Sequence, residues 1–150
     1  MFIALACDHG GFELMQRVKG FLDETGIRYE DFGTFSSESC DYPVFASSAC
    51  SAIVSGECDR GILICGTGIG MSIAANKFPG IRAGLCFNAY MAEMTRCHND
   101  ANVLCLGARV IDEPTAIDII RVFLDTEFSG GRHARRVSLL SELDKDRSDN

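Results

Sequence analysis

Short apolar runs alternate with longer amphipathic segments along the chain, and this pattern predicts strands that alternate with helices. Five runs are predicted to be strands, at residues 2–7, 27–32, 62–64, 81–87 and 103–106. The run 62–64 is apolar at every position, as is typical of a strand buried on both faces. Arg28, Glu30 and Asp31 interrupt the second run, so we expect that strand to lie nearer an edge of the sheet.

Helical spacing and helix-start signals predict helices between these runs. They cover residues 12–26, 43–53, an Ala-rich segment after Gly70, 88–98, a segment from 113 that ends before Gly130, and 132–143, followed by a charged, frayed tail at about 144–150. The fourth helix should carry four side chains on one side, those of Tyr90, Met91, Met94 and Cys97. Alternating strands and helices imply an α/β fold, with a five-stranded parallel sheet covered on both faces. The carboxyl ends of all five strands then share one edge, where we expect a ligand to bind.

A loop with three alternating glycines follows the central strand. Gly66, Gly68 and Gly70 permit positive φ, and the helix behind them points its partly positive N-terminus at the same place, so we expect the loop to hold an anion. Cys65 starts this loop, where a thiolate is stabilised and can act as a base or nucleophile. The spacing matches neither the dinucleotide-binding pattern nor the P-loop, and a purely structural strand–helix turn is the alternative.

Composition narrows the class of protein. The 150 residues are 47% hydrophobic, enough for one domain with a sizeable core, and their net charge of -7 argues against nucleic-acid or anionic-membrane binding. No apolar run approaches the roughly 20 residues that span a bilayer, and the N-terminus is predicted to be a strand rather than a signal peptide. The eight cysteines form no Cys-x-x-Cys pair, so we expect free, mostly buried thiols, no metal site and a cytoplasmic location.

Histidines supply further candidates for chemistry. His9 follows the first strand directly after Asp8, and His98 lies in a polar run before the fifth strand. A lone histidine is more often structural, but we place both near the predicted ligand edge. Cys65 and Arg109 also follow strand ends on that edge.

Arginines form a dense cluster near residue 132. Arg132 and Arg136 stand at i and i+4 on one helix face, as a two-armed grip on phosphate requires, whereas Arg135 points elsewhere. A solvated surface or a terminal docking segment is the alternative reading of the cluster. With the thiol and the glycine loop, these residues suit proton transfer next to the carbonyl of a phosphorylated small molecule.

Six motifs occur between the first strand and Arg136: CDHGGF at 7–12, DYP at 41–43, GILICGTGIG at 61–70, AANK at 74–77, HNDANVL at 98–104 and GGRH at 130–133. Together they resemble the type B ribose-5-phosphate isomerases, over nearly the whole chain. The wider family includes galactose-6-phosphate and allose-6-phosphate isomerases. The resemblance implies a Rossmann-like three-layer α/β/α sandwich, and a homodimer or dimer of dimers whose active sites are shared between subunits.

The same resemblance implies the reaction and its residues. Ribose 5-phosphate and ribulose 5-phosphate would be interconverted without a metal or other cofactor. Cys65 would shuttle the proton between C1 and C2, Thr67 would lie beside the enediolate and His98 would assist ring opening. The implied substrate contacts are Asp8, His9, Tyr42, Gly66, Gly68, Ile69, Gly70, Asn99, Arg109, Arg132 and Arg136, the three arginines holding phosphate. Some members carry a glutamate base where Met71 stands, so the cysteine-type mechanism fits here.

Three other functions stay open at this point. A hexose 6-phosphate isomerase, for allose or galactose 6-phosphate, would need room for one more carbon between the phosphate grip and the thiol. A phosphosugar sensor would keep the arginines and glycines but would not need Cys65 or His98. A nucleotide-binding module would need a different glycine spacing.

Overall fold

The structure of the protein is a computed structural model that describes the backbone of residues 1–148 and the side chains of residues 1–145. Its strands are β1 Phe2–Cys7, β2 Arg28–Asp31, β3 Arg60–Cys65, β4 Ala83–Leu85 and β5 Val103–Gly107. Its helices are α1 Phe12–Thr25, α2 Tyr42–Val54, α3 Ile69–Ala75, α4 Ala89–Asn99, α5 Glu113–Asp125 and α6 Arg132–Ser148. The predicted alternation of strands and helices is confirmed.

The five strands form one parallel sheet in the order β2-β1-β3-β5-β4. The second strand lies at an edge, as its interrupting charges predict. Helices α1, α4 and α5 pack on one face of the sheet, and α2 and α3 pack on the other. The architecture is therefore the expected three-layer α/β/α sandwich.

The central strand β3 is buried on both faces. Ile62 and Ile64 belong to the core on the α1 side, whereas Leu63 and Cys65 belong to the core on the α2 side. Each fully buried Ile or Leu side chain contributes about 1.5–3 kcal/mol through the hydrophobic effect. The strands before and after β3 in the sheet, β1 and β5, are equally buried at most positions.

Two predicted segments have different lengths in the structure. The fourth strand is limited to three residues at the sheet edge, where only β5 pairs with it. The last helix continues to Ser148 rather than ending at residue 143, and Asp144 anchors this part of it by accepting a hydrogen bond from Gly80 N at 2.8 Å. Residues 149 and 150 of the predicted frayed tail lie outside the described residues.

The buried side of α4 also differs from the prediction. Ala92 and Arg96 are its buried residues, whereas Tyr90 is 69% exposed. Arg96 can be buried because its guanidinium donates to Asp100 Oδ1 at 2.8 Å and to two backbone carbonyls, those of Ala101 and Thr126. Across the described residues, no helix has the length and apolar character needed to cross a membrane.

Candidate functional site

The loops after β1 and β3 meet at the carboxyl edge of the sheet. Asp8 N donates to Ile64 O at 3.1 Å, and the Asp8 carboxylate accepts from Gly11 N at 3.1 Å. A Cβ at Gly11 would lie 2.5 Å from Ile64 O, so only glycine fits where the two chains approach. This contact is the point where the sheet's strand order reverses, which is where open α/β sheets bind ligands.

The glycine loop holds Cys65 and Thr67 at this point. Gly68 has a φ of 76° and its N–H donates to Cys65 Sγ at 3.1 Å. Ile69 N donates to Thr67 Oγ1 at 3.3 Å, and a Cβ at Gly107 would lie 2.6 Å from the Thr67 carbonyl. The Cys65 side chain is 5% exposed, whereas Thr67 is exposed to solvent.

The eight cysteines are all free thiols, as expected. Burial raises the pKa of Cys7, Cys50 and Cys86 to about 12, which keeps these thiols neutral at physiological pH. Burial also raises the pKa of Cys105. Cys65 differs from them in accepting a backbone N–H on its sulfur, and such a donor stabilises negative charge on the atom it points to.

Arg109 and His9 lie beside the glycine loop. Arg109 N donates to Gly66 O at 2.9 Å, and its guanidinium Nη1 lies 3.3 Å from where a Cβ of Gly66 would be. Both side chains line a cavity of about 900 Å³, whose lining among the described residues does not include Cys65. His9 Nδ1 accepts a hydrogen bond from Cys40 N at 3.3 Å. This contact selects the neutral tautomer whose proton is on Nε2.

Tyr42 completes the group at the carboxyl edge. Its ring covers Gly70, where a Cβ would lie 2.9 Å from the ring. The structure therefore brings together one set of predicted site residues: Asp8, His9, Tyr42, Cys65, Gly66, Thr67, Gly68, Ile69, Gly70 and Arg109.

A second set lies elsewhere in the same chain. His98, Asn99 and Arg136 line a small pocket of about 240 Å³, and Arg132 is on the helix that forms its wall. The expectation that His98 lies near the ligand edge is wrong within one chain. Helix α4 runs antiparallel to the strands, so its C-terminal residues return to the amino edge of the sheet, next to the start of β5.

Two arginines fix the end of α4 at the amino edge. Asp100 adopts a left-handed conformation with φ 47°, and its carboxylate pairs with Arg82 at 3.0 Å and Arg96 at 2.8 Å. Arg96 also donates to Thr126 O, in the segment that leads from α5 to α6. Ser129 N donates to Cys97 O at 3.1 Å in the same region. These contacts hold the two elements that form the small pocket.

Sequence reasoning missed the one further histidine of the small pocket. The ring of His133 stacks on that of His98, with centroids 4.1 Å apart and planes 10° from parallel. The signal for it was present, because His133 ends the GGRH motif, but nothing in a single sequence shows which histidines meet in space. Among the described residues, no group of three or more His, Cys, Asp or Glu side chains is arranged to hold a metal ion.

Comparison with known proteins gives consistent matches along the chain. The model of a family described as Ribose/Galactose Isomerase matches residues 3–140. The chain is 47% identical over 146 residues to Ribose-5-phosphate isomerase B of Escherichia coli, covering 97% of this chain and 98% of that protein. It is 42% identical over 136 residues to the D-erythrulose-4-phosphate isomerase of Pectobacterium atrosepticum, covering 90% of each. A solved structure of Clostridium thermocellum Ribose-5-Phosphate Isomerase B superposes with a TM-score of 0.97 at 53% identity, covering 98% of this chain and 99% of that one.

Proposed function

Because the chain belongs to the ribose/galactose isomerase family, we propose that it is an aldose–ketose isomerase that interconverts ribose 5-phosphate and ribulose 5-phosphate. The observation that carries the proposal is the hydrogen bond from Gly68 N to Cys65 Sγ, beside the loops that end β1 and β3. This hydrogen bond holds the thiol of Cys65, the proposed base, at the carboxyl edge of the sheet among backbone donors. Relatives named for this reaction cover almost the whole chain.

Cys65 is the base of the proposed reaction. Its thiolate takes the proton from C2 of the open-chain aldose, and the electron pair moves through C1 to O1, forming an enediolate. The thiol then returns the proton to C1. O1 gains a proton and O2 loses one, which leaves the ketone at C2. In this proposal the amides of the glycine loop and Thr67 stabilise the negative charge that develops on oxygen, which is supported by their position beside Cys65.

The remaining site residues bind and prepare the sugar. Arg109, Arg132 and Arg136 hold the phosphate, His98 assists opening of the furanose ring and Asn99 helps to stabilise charge. Asp8 and His9 contact the sugar, since the loop that carries them abuts Gly66. The sugar is bordered by the side chain or backbone of Tyr42, Gly66, Gly68, Ile69 and Gly70.

The site is built from two subunits of a homodimer. The two sets of residues support this arrangement, because they lie at opposite edges of the sheet and neither set alone has both the base and the two-armed phosphate grip. Apolar surface next to the glycine loop supports an interface there, since Ile69 and Ile73 on α3 are 50% and 56% exposed and Tyr42 is 36% exposed. A two-fold interface builds two equivalent composite sites, and a dimer of dimers can follow from it.

Two further parts of the proposal concern the chain as a whole. Residues 1–150 form one sugar-phosphate isomerase domain, which is supported by the single sheet that connects all five strands. The protein works in the cytoplasm, which is supported by eight cysteines that are all free thiols, as in a reducing compartment.

A panel of sugar phosphates tests the proposed function. Turnover of ribose 5-phosphate, allose 6-phosphate, galactose 6-phosphate and erythrulose 4-phosphate is measured with and without a chelator. We expect ribose 5-phosphate to give the highest kcat/KM and the chelator to leave it unchanged. A preference for a hexose 6-phosphate would favour the alternative isomerase, loss of activity with chelator would reject metal-independent catalysis, and no turnover of any sugar would reject the proposal.

A further inference from the structure

The stacked pair of histidines, His98 and His133, joins α4 to α6. The rings are nearly parallel and their centroids are 4.1 Å apart. His133 N donates to Gly130 O at 3.0 Å in the turn that begins α6. The proposed reaction uses His98 but gives His133 no part, although both rings line the same pocket of about 240 Å³.

Positive charge surrounds this pair. Arg132 and Arg136 stand beside His133 on α6, and His98 faces it from α4. The carboxylate of Asp100, the residue that caps the C-terminus of α4, is already paired with Arg82 and Arg96. Partial burial is the largest cause that lowers the pKa of His133, and the neighbouring His98, Arg132 and Arg136 lower it further. In the free protein His133 is therefore neutral at a pH where an ordinary histidine is partly charged.

A bound phosphate changes this balance. The proposed phosphate grip uses Arg132 and Arg136, which flank His133 one residue before it and three residues after it on the helix. A dianion there offsets the two guanidinium charges and attracts a proton to the nearest imidazole. Two imidazolium rings stacked at this distance would repel, whereas one imidazolium stacked on a neutral imidazole is favourable. The pair therefore accepts one proton rather than two.

We propose that His133 is a positioning residue that takes up a proton when a phosphate group occupies the arginine cluster, and whose charge then keeps the stacked His98 neutral. Neutral His98 is the form that can accept a proton during ring opening. The inference rests on the phosphate-binding part of the proposed function. It adds a coupling between two parts of the site. The phosphate of the substrate sets the protonation state of His98, the histidine that acts on the sugar ring.

Calorimetric titration with inorganic sulfate tests this coupling without turnover. Sulfate keeps its charge across pH 6–8, so any proton taken up on binding comes to the protein, and titration in buffers of different ionisation enthalpy counts it. We expect wild-type protein to take up roughly half a proton or more per sulfate at pH 7. His133→Phe, which keeps a ring to stack on His98, should lose most of this uptake, and His98→Phe should retain it. His133→Gln serves as a second variant if the phenylalanine disturbs folding.

The pH dependence of kcat gives a second readout that a merely structural role would not move. Without the repulsion of a charged His133, His98 in the substrate complex becomes protonated at a higher pH than in wild type, so the acid limb of the kcat profile of His133→Phe should move to higher pH by roughly half a unit or more. Wild-type proton uptake in both His133 variants, no uptake in the wild type, or no sulfate binding would each overturn the inference. Wild-type uptake with no turnover of any sugar phosphate would reject the proposed function and leave the phosphate-linked protonation of His133 standing.

Discussion

Cys65 and His98 lie at opposite edges of the sheet within one chain. Gly61 N donates to Asn102 O at 2.9 Å, so the residues just after α4 lie beside the start of β3. Cys65 follows Gly61 by four residues of extended strand, which is about 13 Å. This separation is the reason for the proposal that one site combines Cys65 and His98 from two subunits.

Mixing two inactive variants tests this arrangement. Cys65→Ala protein and His98→Ala protein are combined and allowed to exchange subunits. Random pairing makes about half of the dimers mixed, and each mixed dimer has one site assembled from two unmutated halves. We expect about a quarter of wild-type activity to return, measured as turnover of ribose 5-phosphate. The control is each variant incubated alone under the same conditions, which should remain inactive.

Subunit exchange must be confirmed independently, for example by native mass spectrometry of differently tagged chains. If exchange occurs and no activity returns, each site lies within one chain. That outcome would reject the shared site and leave the isomerase assignment intact.

Substitution of three arginines on α6 distinguishes a specific phosphate grip from a diffusely charged surface. Arg132→Ala and Arg136→Ala should each lower kcat/KM by roughly 10- to 150-fold, as expected for losing about 1.5–3 kcal/mol of hydrogen bonding to a charged group. Arg135→Ala is the matched control, since all three side chains are exposed but Arg135 faces away from the other two. Equal losses in the three variants would show a diffuse electrostatic effect instead of a specific grip.

We expect the burial of the Cys50 thiol to make the protein lose stability at alkaline pH. Burial raises the pKa of Cys50 to about 12 in the folded protein, above the value of an exposed thiol. The contribution of this raised pKa to the free energy of unfolding is fully present below about pH 9. It is lost as the pH rises toward 12, because the thiol ionises first in the unfolded chain. Between pH 8 and pH 10 the free energy of unfolding of Cys50→Ala should therefore fall less than that of wild type, by about 1.5 kcal/mol.

Urea unfolding at one fixed protein concentration measures this difference, since stability of an oligomer depends on concentration. Each protein is compared with itself at the two pH values, so the cost of removing the Cys50 side chain cancels. An identical fall in both proteins would mean that Cys50 ionises as readily in the folded state as in the unfolded one.

The fold could be predicted from local patterns because the pattern and the packing agree. The all-apolar run in β3 and the charges in β2 specify a central and an edge strand, which the sheet order confirms. Arg96 shows where such reasoning stops. It is a charged residue on the buried side of α4, and its partners come from Asp100 and from the carbonyl of Thr126, 30 residues away in sequence.

The candidate site was predictable in part for the same reason. Residues that follow strand ends, such as Cys65 and Arg109, are brought together by a rule of topology. His98 follows a helix instead, and helix α4 carries it to the other edge. The stacking of His133 on His98 depends on how α6 docks, which no spacing in the sequence encodes.

The turnover of ribose 5-phosphate by Cys65→Ser tests the central claim most directly. Serine keeps an acceptor for Gly68 N but is a far weaker acid than a thiol, so no comparable base remains. We predict that kcat falls by about 10² or more while the fold is kept. Cys58→Ser, at a buried thiol before the start of β3, is the matched control and should retain wild-type turnover. Near-wild-type kcat in Cys65→Ser would contradict the account, because the proton would then be carried by another group.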